Sequence, residues 1–381
     1  MGAENSKPRY LYIDNLRLVM IILVVLIHLA VTYSGVGSWY LNDVKEIDTI
    51  CYVVFGLFQS YTQAYFMGFL FLISGYFVVR SYEKKGAGKF IADRFVRLGI
   101  PTLIYMLIVH PFNVYVLLGY TWDRPKIVQY YMNYVMSLDF LGESGPLWFV
   151  LALLIFNIIY ALVRVLMKAR KPKVTQELPS TGKAVLLVFM IAFVAFLIRL
   201  VQPIDTSILN MQLCFFSQYV ILFIVGIRVG RYDWFSKISY RAGRRWLLAA
   251  LLPGILFWVV LMLTGGALNG GFDLYKGGFH WQSAGYALWE SFTAVAMSIG
   301  LIGVFRERYN HQTKLTKVLS DNSFGVYMFH APVIILVSII LLPLEMYPLA
   351  KFLLAAILGI PLSFLLSNYV FRKIPFLKRV L

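Results

Sequence analysis

The chain has 381 residues, 60% of them hydrophobic and only 14% charged, and its mean hydropathy of +0.74 lies above what a water-soluble domain sustains. That composition defines a polytopic membrane protein. A formal charge of +17 would suit nucleic acid, but Lys and Arg fall in short clusters between apolar runs and form no basic domain, which excludes a nucleic-acid partner and makes the charge a topology signal.

The opening MGAENS fits a myristoylation pattern at Gly2 and Ser6, yet a chain with many spans gains nothing from one acyl chain. The first apolar run follows Lys7 and Arg9 and lacks a small-residue cleavage site, so it is expected to stay as a span. Runs of spanning length fall near 12–34, 61–81, 98–118, 146–167, 183–201, 211–230, 246–264, 282–305, 321–343 and 349–371. They predict an all-α bundle of ten transmembrane helices, a single membrane-embedded domain over 1–381 with no separate soluble domain. Segments 1–17, 80–97, 164–183, 228–245, 306–317 and 372–381 alternate onto one side and hold 29 of the 35 Lys and Arg, which places both termini in the cytoplasm. A cysteine at Asp123 is therefore expected to label from outside and one at Lys171 only after permeabilisation; the reverse pattern would overturn this orientation.

The opposite segments, "YLNDVKEID", "YTWDRPK", "SLDFLGESG" and "NGGFDLYKGGFHW", are acidic and aromatic. Such surfaces suit sugars as well as the interfacial belt. Cys51 and Cys214 make neither a metal cluster nor a CxxC motif, so no metal is expected; both would face the outer side, where a disulfide can form.

Four ionisable side chains inside the apolar runs are costly enough to be functional candidates: His28, His330, His110 and Glu290. In "YIDNLRLVMIILVVLIHLA", His28 lies roughly 16 Å beyond Arg17 on nearly the same helix face. Arg17 at the inner mouth can hold an anionic group, while the deeper imidazole is suited to taking a proton from a hydroxyl at neutral pH. Asp14 pairs with Arg17 at i, i+3. "SDNSFGVYMFHAPVI" sets Ser323, Tyr327 and His330 on one face, with His330 roughly 15 Å into a span of the same direction; a polar packing cluster is the competing reading. Glu290 in "ALWESFTAV" is either a packing residue or a partner for an acceptor hydroxyl or a histidine. His110 precedes Pro111 and marks a kink near the outer face. The inner loop gathers Arg80, Lys84, Lys85, Lys89, Arg94 and Arg97; Arg94 and Arg97 have a spacing suited to gripping phosphates. Trp148 in "GESGPLWFVLALL" can anchor its span or stack on a sugar.

Arg17 and His28 separated by ten residues, "FLFLISGYF", Arg94 with Arg97, "GPLWFV" and "SFGVYMFH", in that order and over nearly the whole chain, resemble the acyltransferase 3 family of integral membrane O-acyltransferases. "YIDNLR", "FLFLISGYF" and "YALWES" look most like the branch containing glucan succinyltransferases. The resemblance implies ten spans, a cytoplasmic acyl-CoA donor and an acceptor presented from outside, a carbohydrate of the cell envelope at a bacterial plasma membrane. By that likeness His28 is the essential histidine, and Arg17, Arg94 and Arg97 are donor-associated cations. His28 would deprotonate an acceptor hydroxyl or carry the acyl group itself, and Tyr327 or His330 would donate to the oxyanion. The competing class is a proton-coupled transporter with His28, Glu290 and His330 as its relay.

Overall fold

The structure is a computed structural model that describes residues 10–44, 47–119, 124–167 and 177–377. The MGAENS segment and the labelling positions Asp123 and Lys171 lie outside the described residues. The helices of ten residues or more are α1 (Leu11–Ser34), α2 (Thr49–Gln63), α3 (Phe66–Arg94), α4 (Arg124–Met136), α5 (Trp148–Leu166), α6 (Thr181–Arg199), α7 (Phe216–Tyr232), α8 (Tyr240–Ala249), α9 (Ile255–Thr264), α10 (Trp281–Arg308), α11 (Lys314–Leu341) and α12 (Pro348–Tyr369). No strand is present among the described residues, because backbone groups in hydrocarbon must be satisfied within each segment.

Nine helical runs among the described residues are long and apolar enough to cross a membrane. One of them, Thr49–Leu118, is 70 residues long, several times a bilayer core of ~30 Å at ~1.5 Å per residue. It contains the second and third expected spans and folds back between them. Gly86 breaks it with φ 71 and ψ 169, a left-handed conformation open to glycine alone at little cost. The reversal is visible in contacts that a straight helix forbids: Arg94 Nη2 donates to Ser81 Oγ at 2.8 Å, and the Tyr82 and Phe90 rings meet edge to face at 5.6 Å. Beyond Gly86 the run continues through π-helical turns at Phe95–Gly99, Tyr105–Val109 and Phe112–Leu118. The kink expected at His110–Pro111 is thus spread over widened turns. Two outer helices went unforeseen, α2, which Asp48 caps by accepting from Cys51 N at 2.7 Å, and the amphipathic α4.

Packing follows small residues. Gly226 and Gly230 form a GxxxG face on α7, and a Cβ on either would collide with the α3 backbone, at the carbonyl of Leu72 or Tyr76. Absent a hydrophobic drive between helices in lipid, such close approach supplies the contact energy. Outward faces remain apolar, as on α6, where Leu186, Phe189 and Phe193 are exposed.

Two contacts fix the pair of helices that matters most for function. Ser320 Oγ reaches the Asp14 carbonyl at 3.5 Å, and Tyr33 hydroxyl donates to Ser338 Oγ at 3.2 Å. Hence α1 and α11 run parallel, side by side, in almost constant register. At their inner end Asn15 Nδ2 donates to the carbonyls of Tyr309 and His311 at 2.7 and 2.9 Å.

Three cations outside the basic clusters are paired with carboxylates. Arg199 pairs with Glu290, Lys351 with Asp43, and Lys276 with Asp205 and Asp273. Cys51 and Cys214 are both buried and free, so the disulfide that the sequence allowed does not form.

Candidate active site

The register of α1 and α11 brings His28 and His330 together, with ring centroids 5.2 Å apart and planes 15° from parallel. Trp39, from the outer segment that follows α1, stacks on His28 at 3.8 Å and 16° and lies 6.2 Å from His330. These three distances make nearly a right angle at His28. The indole therefore covers the face of the His28 ring, and His330 lies beside its edge.

His330 is fully buried. Its Nδ1 sits 2.9 Å from the Tyr327 carbonyl and 3.2 Å from that of Val326. Carbonyls only accept, so Nδ1 carries the proton and Nε2 keeps its lone pair. That Nε2 is buried without a hydrogen-bond partner and points away from its own helix. His28 is half-buried, and its backbone carbonyl accepts from Thr32 Oγ1 at 3.0 Å. The pair thus offers one imidazole of fixed tautomer beside a second, half-buried one.

Around the pair, the Tyr327 hydroxyl donates to the Pro146 carbonyl, so it is engaged in holding the Gly145–Leu147 turn and its proton is not directed at the histidines. Trp148, which follows that turn, is half-buried and stacks on Tyr219 at 5.7 Å. Tyr40 hydroxyl lies 2.8 Å from His110 Nδ1 and 3.1 Å from the Tyr105 hydroxyl. Burial raises Tyr40 above the usual tyrosine value, so it stays protonated. His110 is in turn 3.6 Å from Glu143, whose carboxyl is pushed up by burial and by Asp139. His110 belongs to this outer network.

Glu290 lies elsewhere. It is buried against Arg199, which is itself fully buried and flanked by Phe215 and Tyr286 at 5.4 and 5.6 Å. The expectation that Glu290 would partner a histidine is corrected here: its partner is the arginine at the end of α6. Sequence reasoning did not single out Arg199, although "FLIRLVQ" carries it at the end of an apolar run, where the rule for intramembrane charges applies. It also missed Trp39, which reads as one more belt aromatic.

At the inner end Arg17 is 3.6 Å from Asp14, as the spacing predicts, and its guanidinium lies 4.8 Å over the Phe77 ring. Phe77 and Ser81 are four residues apart on α3 and share a face. Arg17 and Arg94, which rests on Ser81 and on the Phe90 ring at 4.9 Å, therefore line one side of α3. Arg97 turns away; it is 62% exposed and bound to Asp93 at 3.1 Å, because the π-helical turn beginning at Phe95 alters the azimuth between the two arginines.

An imidazole pair between parallel spans, with guanidinium groups at the basic end, is an arrangement of ionisable groups that membrane proteins keep for function. The chain belongs to the acyltransferase 3 family: the model of its acyltransferase domain matches residues 10–368. The protein is accordingly a membrane acyltransferase. No curated protein and no solved structure matches the chain. Among the described residues no group of three or more His, Cys, Asp or Glu could hold a metal ion.

Proposed function

We propose that the protein moves an acyl group, acetyl or succinyl, from cytoplasmic acyl-CoA to a hydroxyl of an envelope carbohydrate at a bacterial plasma membrane. The observation that carries this reading is the His28–His330 pair, 5.2 Å apart, placed part-way along α1 and α11, with Arg17 near the start of α1 and Arg94 at the end of α3. Those guanidinium groups hold the phosphates of the donor in forked hydrogen bonds, and the thioester arm extends along α1 toward His28. The acceptor hydroxyl gives its proton to His28 as its oxygen bonds to the acyl carbonyl carbon. Collapse of the tetrahedral adduct breaks the C–S bond, and the protonated His28 returns the proton to the thiolate. His330, whose Nε2 is an unpartnered acceptor on a ring 5.2 Å from His28, offers the imidazolium a partner in between. Trp148 offers a ring on which a sugar can stack. Glu290 and Tyr327 support the bundle and take no part in the proton transfer.

The donor site is tested by charge-preserving substitution. Arg94→Lys keeps the positive charge that sets topology but loses the planar fork, and coenzyme A affinity is expected to fall about tenfold, roughly the value of one charge-assisted hydrogen bond. Arg97→Lys should matter less, since Arg97 is turned to Asp93. Lys84→Arg with Lys85→Arg serves as the control. Titration calorimetry of the purified protein with coenzyme A reads all three; equal affinities would move the donor site toward Arg228 and Arg231.

A further inference from the structure

We propose that residues 35–44 form the gate by which the acceptor reaches the histidine pair, with Trp39 as its plug and the Asp43–Lys351 pair as its latch. This rests on the reading above that transfer occurs at His28.

The strap is built to fold inward. Gly35 (φ 66) ends α1 and Gly37 (φ 101) continues the reversal, both in the region that favours glycine. The chain then returns along the helix it has just left, and Asp43 N donates to the Thr32 carbonyl at 2.8 Å. Doubling back in this way carries Trp39 down to His28, one turn below Thr32. There is no room to spare: a Cβ on Gly35 would press Val44 and one on Gly37 would press Val31, each at 3.2 Å.

Two anchors of different kinds hold the strap. Beside the plug, Tyr40 bonds His110 and Tyr105 and meets Trp39 edge to face at 5.0 Å. Past it, Asp43 reaches Lys351 at 2.5 Å, with side chains only 9% and 6% exposed, and Lys351 Nζ also donates to the Leu342 carbonyl at 3.4 Å. A small outer segment fixed by a nearly buried ion pair is an unusual investment for a connecting loop, since each charge costs free energy to desolvate. Trp39 meanwhile remains half-buried, seated on an imidazole instead of locked in the apolar core.

Closure has a chemical purpose in this reaction. Water competes with the acceptor for the same acyl carbon: its O–H proton passes to His28, its oxygen bonds to the carbonyl, the C–S bond breaks, and the products are the free acid and the thiol. A seated Trp39 keeps bulk water from His28 until the acceptor displaces the strap.

The test uses diethylpyrocarbonate on the full-length protein in detergent, with carbethoxylation of His28 followed by mass spectrometry. Trp39→Ala and Lys351→Met are each expected to raise the His28 rate at least about tenfold, the second although Lys351 touches neither histidine, because an unlatched strap opens more often. Lys276→Met, which removes an outer ion pair away from the strap, should leave the rate unchanged. The same strap variants should raise acyl-CoA hydrolysis relative to transfer. If Lys351→Met does not fold, Asp43→Leu with Lys351→Met removes both charges and opens the same latch. Equal His28 rates in the folded wild type, Trp39→Ala and latch variants would overturn the gate. Faster modification in variants of a protein that never consumes acyl-CoA would keep the gate and remove the transfer reading instead.

Discussion

His28→Ala should abolish acyl transfer while leaving coenzyme A binding intact, a loss of ~10²–10⁴-fold for the removal of general-base catalysis. The expectation rests on separation along α1: Arg17 lies roughly 16 Å from His28 at eleven helical steps, so deleting the imidazole does not disturb the phosphate grip. Arg17→Ala should do the opposite and weaken donor binding first. His330→Ala should lower the turnover rate with little effect on the donor KM, since His330 acts beside His28 and touches nothing at the inner end. Radiolabelled acyl transfer in proteoliposomes, paired with calorimetry, separates binding from chemistry. A His28→Ala protein of normal abundance that still transfers would end the catalytic assignment.

The largest change in stability is expected from breaking the Arg199–Glu290 pair. Glu290→Leu alone strands a fully buried guanidinium, and Arg199→Met alone strands a carboxylate; either should cost about 3–5 kcal/mol. Arg199→Met with Glu290→Leu removes both charges together, and most of that loss should return, because an apolar pair of similar volume carries no desolvation penalty. Thermal unfolding in detergent measures all three. A double variant no more stable than the singles would contradict the pairing. The same double variant decides the role of Glu290: retained transfer leaves it structural, as its geometry indicates, whereas a well-folded but inactive protein would place it in the chemistry.

Much of the bundle is legible in the sequence because lipid imposes strong constraints. Spans must be long, apolar and helical, so each expected apolar run falls on a helical run of the structure. The pairing of Asp14 with Arg17 followed from helical spacing alone. The course of the Thr49–Leu118 run was less legible, since a single Gly86 in a basic loop does not announce a reversal, nor do π-helical turns that spread a bend over several residues. Arg94 and Arg97 illustrate the consequence: their spacing suggested a fork, and the widened turn between them points one at Ser81 and the other at Asp93.

What the sequence by itself determined was the helical class, the apolar runs and the spacing of each polar side chain along its helix, because these depend on distance along one helix. Depth set His28 and His330 at comparable levels before any packing was known. The tertiary structure alone decided which of these residues meet. Contact between helices depends on azimuth and register, and those come from glycine faces, short polar bonds such as Tyr33 with Ser338 and the route of the outer segments. For that reason His330 was brought to His28 and Glu290 was given to Arg199, while Trp39, hidden among interfacial aromatics in the sequence, was carried by a reversing strap onto the imidazole it covers.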